Sequence, residues 1–419
     1  MPPPPAKSEL RSPAQSSQTR WQTARNLLRP WRNVKPEISA SGRNTRVVAL
    51  DTLRGLLLVM MGINHVPSDL QFLTNHPFGY VSSAEGFVFL SGLVGGLVYT
   101  RRVMQKGWAI SRQTCWKRAR QIYAYHLAAY FLVFAWVAGF AYLAGNPPNN
   151  APDLMVNQPW TAAWAGPLFL YQPSLSDLLP MYCLLLLLMP LVLKVLEAGR
   201  TGLVLAASFG LWAGTNFFLP QTSNPTGFVN LGLFHLGAWQ LVFIVGAVFG
   251  QAWAHGRKLL PEPNRLVVGL MVALAALGFL VRHAYLPSGI APATLDWLIN
   301  KNNFAPLRLL NTGVVIYLCH LCLRRWPRAF DVPPLALLGQ HSLTVFTVHL
   351  LAAYVIFAFP QTFAVTAGGR MLSSAIILAT MFATAMVHAR LLGARRQPVD
   401  DAVATGATIP PFAPVVVRR

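Results

Sequence analysis

Apolar runs of about twenty residues recur along this chain, separated by short polar or basic stretches. A helix crossing a bilayer needs about 20 mostly apolar residues. The pattern predicts ten such helices, roughly over 47–65, 82–100, 121–144, 175–196, 202–219, 231–253, 265–285, 304–323, 335–358 and 371–391. The first two differ from plain membrane anchors. Asp51 and Arg54 interrupt the first, and His65 ends it. His76 lies in the loop between them, and Glu85 opens the second. Ionisable groups are costly to hold in hydrocarbon, so those that occur there are candidates for function.

Lys and Arg cluster on alternate sides of these runs. They crowd the stretch before the first helix, the 101–120 segment and the turns after the fourth, sixth, eighth and tenth helices. None occurs over 65–100, 121–193 or 201–256. By the positive-inside rule, this predicts an all-α polytopic membrane protein with both termini cytoplasmic and His65 and His76 near the outer face. Arg282, Lys301, Arg308 and Arg370 fall on the outer side and call for another explanation. The division that follows is a basic cytoplasmic tail over 1–45, a membrane domain over 46–392, and an Ala-, Pro- and Val-rich cytoplasmic tail over 393–419. The N-terminal stretch has no apolar core of signal-peptide length. The outer loop 145–174 is long, and its Trp160 and Trp164 suit a membrane interface or a sugar platform.

Composition supports this picture. The 419-residue chain is 54% hydrophobic and 11% charged, against about 25% charged for soluble domains, and its mean hydropathy is +0.44. The net charge of +21 is spread between apolar segments, not gathered into a patch, which argues against a nucleic-acid partner. Cys115, Cys183, Cys319 and Cys322 make no disulfide framework, and one CxxC inside an apolar run makes no zinc site; no metal is expected. Walker A, GxSxG, HExxH and Rossmann fingerprints are absent from the sequence.

The candidate residues carry a bland and a sharp reading each. Asp51 and Arg54 share a helix face; they form a neutralising pair, or Arg54 meets an anionic ligand that Gly55 lets approach. His65 is an interfacial histidine, or a neutral imidazole that takes a proton from an attacking hydroxyl. In the second case Asn64, Asp69 or Glu85 would orient it, with His76 close by. Ser82 and Glu85 have capping-box spacing, compatible with Glu85 also fixing a histidine tautomer. Gly92 and Gly96 permit close helix packing. Lys301 and Arg308 snorkel, or bind an anionic acyl group. His341 and His349 are eight apart on similar helical faces; because the cytoplasmic side precedes the ninth helix, His341 lies inward, near a cytoplasmic donor. Ser174 and Asp177 again fit a capping box.

The segments ALDTLRGLLLVMMGINH (49–65) and FGYVSSAEGFVFLSGLVGGLVY (78–99) resemble the OpgC family, membrane proteins that succinylate osmoregulated periplasmic glucans. SDLLPMY (176–182), AWQLVF (238–243), KNNFAPLRLLN (301–311) and GQHSLTVFTVHL (339–350) extend the resemblance in order over about 46–390. More distantly, the D-x-x-R-G…H opening is similar to acyltransferase-3 proteins, and the hairpin to heparan-glucosaminide acetyltransferases. The resemblance implies transfer of an acyl group from cytoplasmic acyl-CoA, the succinyl-CoA donor in the OpgC case, to a sugar hydroxyl outside. The acyltransferase-3 pattern carries the catalytic histidine onto His65 and the helix-one arginine onto Arg54. The heparan-enzyme pattern points nearer His76. The resulting expectation is an inner-membrane O-acyltransferase. His65 is the favoured base, Glu85 orients it, and His76 is the alternative base. Arg54, Asp51, Lys301, Arg308, His341 and His349 lie on the donor or substrate path. The partners expected are acyl-CoA, a periplasmic glucan or other polysaccharide and the bilayer, and a homodimer is admitted. A transporter or flippase for an anionic lipid or sugar would use the same buried charges without chemistry.

Overall fold

A computed structural model describes residues 48–218, 234–257, 259–260, 263–285 and 287–405, with the backbone alone over 393–405. The expected N-terminal tail and the last residues of the C-terminal one lie outside that range. Among the described residues the fold is helical, without strand elements. The main helices are α1 (Val48–Asn64), α2 (Ser83–Ala144), α3 (Leu178–Glu197), α4 (Thr201–Phe217), α5 (Leu236–Ala254), α6 (Arg265–Arg282), α7 (Pro306–Arg325), α8 (Pro333–Gln340), α9 (Ser342–Phe357) and α10 (Ala367–Thr405). Shorter helical turns occupy the loops.

Among the described residues, six helices are long and apolar enough to cross a membrane: α2, α3, α5, α6, α7 and α10. Counting the bent α8–α9 pair as one span makes seven. The difference from ten has local causes. The second and third expected spans belong to one 62-residue helix, α2. It kinks at Gly107, whose φ of 81° and ψ of 171° suit glycine. Helices α1 and α4, with 17 residues each, fall short of the ~20 that a span needs. The ninth expected span breaks at His341, where its halves bend by 87°. Helix α10 runs to Thr405, past the boundary expected near residue 392.

The core gathers on α2 and α5. Gly92 and Gly96 of α2 face the backbone of Phe243 and Ala247 on α5, while Gly246 and Gly250 of α5 face Phe89 and Leu93 on α2. A Cβ at any of the four would overlap a carbonyl oxygen opposite, so two small-residue motifs interlock at backbone distance. The sequence showed the α2 half of this seam. Helices α1 and α8 meet in the same way: Gly55 lies against Leu335, and Gly339 against the Asp51 backbone. Gly55 is therefore a helix contact and leaves no room there for a ligand. Helix α6 is peripheral, with no buried residue.

The seams predict a contrast between glycines. Replacing Gly96 with Val forces overpacking and should destabilise the purified protein by about 1–3 kcal/mol or more. Gly139, also on α2 but with open space around its Cα, should accept Ala with up to ~1 kcal/mol of gain from helix propensity. Thermal unfolding in detergent checks both.

Candidate active site

The His65 end of α1 is tied down by its own loop. The helix stops at Asn64 because Pro67 follows closely and cannot continue it. Asn64 donates from Nδ2 to the Thr74 carbonyl at 3.1 Å, and Thr74 Oγ1 donates to Asn64 Oδ1 at 2.6 Å. Gln71 donates to the Val66 carbonyl at 2.8 Å. Helix α10 holds the loop from the other side, through Ser373 to the Pro67 carbonyl, Ser374 to Ser68, and Arg370 to Asp69 at 2.6 Å. Asn64 and Asp69 thus serve the loop and leave the His65 ring to another partner.

That partner is His349, 284 residues later, fully buried on α9. His65 Nδ1 lies 3.1 Å from His349 Nε2, and the rings stack at 14° with centroids 5.3 Å apart. The other His349 nitrogen, Nδ1, lies 3.3 Å from the Val345 carbonyl. A carbonyl only accepts, so the network assigns the proton to His349 Nδ1 and leaves Nε2 as an acceptor. His65 must then donate from Nδ1, and its Nε2 keeps a lone pair. The backbone carbonyl of Val345 sets the tautomers of both rings.

Glu85 stands in a different constellation. It is fully buried. Its Oε2 accepts from the Ser82 amide at 2.9 Å and the Ser82 hydroxyl at 2.5 Å, completing the expected capping box. Its Oε1 accepts from Arg308 at 2.6 Å. Arg308 also donates to the carbonyls of Ile299 and Tyr80, each at 2.6 Å, and to His76 Nε2 at 3.2 Å. Among the described residues Glu85 makes no hydrogen bond to His65, so the expected orienting contact is replaced by His349. Arg308 is committed to Glu85. His76 has its acceptor nitrogen occupied by the guanidinium. Burial, and then the Arg308 charge, lower its pKa from the ordinary 6.5 to about 4.

These pairings also account for cations on the expected outer side. Arg308 neutralises Glu85, Arg370 meets Asp69, and the Lys301 ammonium lies 5.6 Å from the centre of the Phe234 ring.

Two cavities are lined in part by residues of both α3 and α9. One, of about 170 Å³, is lined by His65, Lys301, Asp177, Asn64, Asn75 and Ser82 with a few apolar neighbours. The other, of about 190 Å³, is mostly apolar and is bordered by Arg54, Arg118, Ser342 and Tyr182. Arg54 donates to Ser342 Oγ at 2.7 Å and lies 5.7 Å from the centre of the Phe87 ring. Ser174 and Asp177 were expected to form a capping box at the start of α3, but no side-chain cap bond forms there, and Asp177 borders the His65 cavity. Ser174 instead accepts the Tyr354 hydroxyl on its carbonyl at 2.7 Å. His341 pairs with His388 at 2.9 Å, outside both cavities, although helical spacing had grouped it with His349. Asp51 is buried where α1 meets α8, outside both cavities. Asp177 and Arg118 were not singled out as site residues from sequence; a carboxylate and a guanidinium next to apolar spans were the available signals.

A family model described as OpgC protein matches residues 46–393. The chain belongs to the OpgC family. No curated protein and no solved structure gives a match. The OpgC match covers both cavities, the histidine pair and the Glu85–Arg308 pair. OpgC membership suggests a glucan-modifying acyltransferase, and the apolar helices make the chain a membrane protein.

Two outcomes test this geometry. Glu85→Ala strands the Arg308 charge and should cost about 3–5 kcal/mol of stability, while Glu85→Ala with Arg308→Met should regain much of it; unfolding in detergent measures both. The His76 pKa is lower in the folded chain than in the unfolded one. The unfolded chain then binds the extra proton between those two values, so stability rises with pH across that window. The His76 contribution is full above about pH 6.5 and is lost as pH falls towards about 4. His76→Asn should flatten that part of the profile.

Proposed function

We propose that this chain moves a succinyl group from cytoplasmic acyl-CoA to a hydroxyl of a periplasmic glucan in the bacterial inner membrane, with His65 as general base. The observation that carries the reading is the hydrogen-bonded chain Val345 carbonyl–His349–His65. It leaves the lone pair of His65 Nε2 available beside a polar cavity. A glucan hydroxyl gives its proton to that nitrogen as its oxygen attacks the thioester carbonyl. A C–O bond forms, the C–S bond breaks, and the departing thiolate takes the proton back from His65. His349 is a positioning residue: it holds the ring and accepts from the imidazolium that forms in between, as the acid partner of a triad does.

The remaining charges divide by what they already touch. Lys301 borders the His65 cavity without a carboxylate partner among the described residues, and it meets the free carboxylate of the succinyl group. Arg308 supports the site through Glu85 instead. Arg54 contacts the donor from the other cavity. His76 is a poor base, because its acceptor nitrogen faces a guanidinium.

Purified protein with labelled succinyl-CoA and glucan decides the matter. His65→Ala should lower transfer by roughly 10²–10⁴-fold, while His76→Asn retains transfer. The reverse pattern would move the base to His76. Glucan transport without acyl transfer would favour the transporter reading. Lys301→Met should raise KM for succinyl-CoA about 10–100-fold, the equivalent of one hydrogen bond to a charged group, and leave acetyl-CoA unaffected.

A further inference from the structure

The two cavities share part of their walls. Leu178, the first residue of α3, and Phe346, on α9, border both of them. Both side chains are buried, at 3% and 2% exposure, and belong to the same core. On one side of them lie the guanidinium groups of Arg54 and Arg118, with no carboxylate in the lining. On the other side lie His65, Lys301 and Asp177. Two apolar side chains thus stand between a cationic chamber suited to an anionic donor and a chamber that holds a base.

We propose that Phe346 and Leu178 form a closable septum through which the thioester end of the donor passes from the Arg54–Arg118 chamber to His65. The inference rests on the acyl-transfer reading above and adds the route and the residues that control it. A chain that takes its donor from one side of a membrane and its acceptor from the other needs a path for the acyl group. It must also keep that path dry between turnovers, because water at the thioester competes with the sugar hydroxyl. The two apolar side chains on the shared wall supply the barrier. The acyl chain, when it enters, passes between them and covers them with its own methylene groups. The position of Phe346 gives the septum a second property. Its ring packs edge-on against His349, with centroids 5.1 Å apart, so the donor's passage is felt by the residue that positions the base. Arg118, on the cytoplasmic part of α2, joins Arg54 as the second cation for the phosphates of the donor.

Substitutions at the two positions separate the septum from mere packing. Enlarging either residue narrows the passage: Phe346→Trp and Leu178→Phe should each lower kcat for transfer at least tenfold, with CoA binding within threefold of wild type. Opening it with Leu178→Ala should raise glucan-independent hydrolysis of succinyl-CoA at least fivefold. In that reaction water adds to the thioester carbonyl, the C–S bond breaks, and succinate and the CoA thiol are released. Leu178 lies on a different helix from His349, whereas Phe346 shares its helix and packs on its ring, so Leu178 controls for damage done at Phe346 through the histidine. Folding of each variant is checked by size-exclusion profile and unfolding temperature, and Leu178→Met and Phe346→Leu provide milder changes if a variant does not fold. Normal kcat in Leu178→Phe, or unchanged hydrolysis in Leu178→Ala, overturns the septum while leaving acyl transfer standing. Absence of transfer in the wild-type protein with every CoA thioester supplied would overturn the underlying reading instead.

Discussion

Glu85 and Arg308 lie 2.6 Å apart where almost no solvent reaches either side chain. Removing two charges from water costs several kcal/mol per ion, which attraction offsets only when their remaining hydrogen-bond positions are filled. Here they are filled by local structure. Glu85 takes the amide and hydroxyl of its own helix cap, and Arg308 takes two carbonyls and a histidine nitrogen. The pair therefore binds the end of the first loop, the start of α2, the start of α7 and the segment before it into one unit. The first turn of α2 and Lys301 both border the His65 cavity, so the pair also sets two of its walls. It is the constraint on which the placement of the site depends.

Against that support, the element proposed to react is small. Two imidazoles and a carbonyl make a chain with one acceptor position left at its end. The two seams built on glycine hold the helices that carry it: α2 on α5, and α1 on α8. A histidine whose tautomer is set by a backbone carbonyl depends on no second titrating carboxylate. Glu85 is then available to hold the architecture, a task for which its burial suits it better than catalysis. In the proposed mechanism the acid–base work and the electrostatic support fall to different residues, although both lie within one hairpin and its neighbours.

Much of this was legible in the chain. Apolar length marked the helices, Ser82 and Glu85 marked a capping box by spacing, and Gly92 and Gly96 marked a close contact. Each of those signals is local. The partners were not legible, because they are 223 residues away for Glu85 and 284 for His65. Lys and Arg placement assigns a side to a loop but says nothing of which face a helical residue presents. That is why His349 was grouped with His341, while the 87° bend at His341 gives the two histidines separate partners. The same limit applies at α3. Ser174 and Asp177 have the spacing of a capping box, yet α3 starts only at Leu178, past both, and Asp177 stands at the N-cap position with no side-chain cap bond. Its carboxylate borders the cavity instead.

The proposed transfer runs across the membrane from the cavity at Arg54 to the cavity at His65, and sided proteoliposomes test it most directly. Labelled succinyl-CoA is supplied only on the face nearer Arg54, and glucan only on the face nearer His65. The account predicts labelled succinyl esters on the glucan, formed while both substrates stay on their own sides. Label that reaches the glucan only when donor and acceptor share a face, or glucan that crosses the bilayer unmodified, would contradict it.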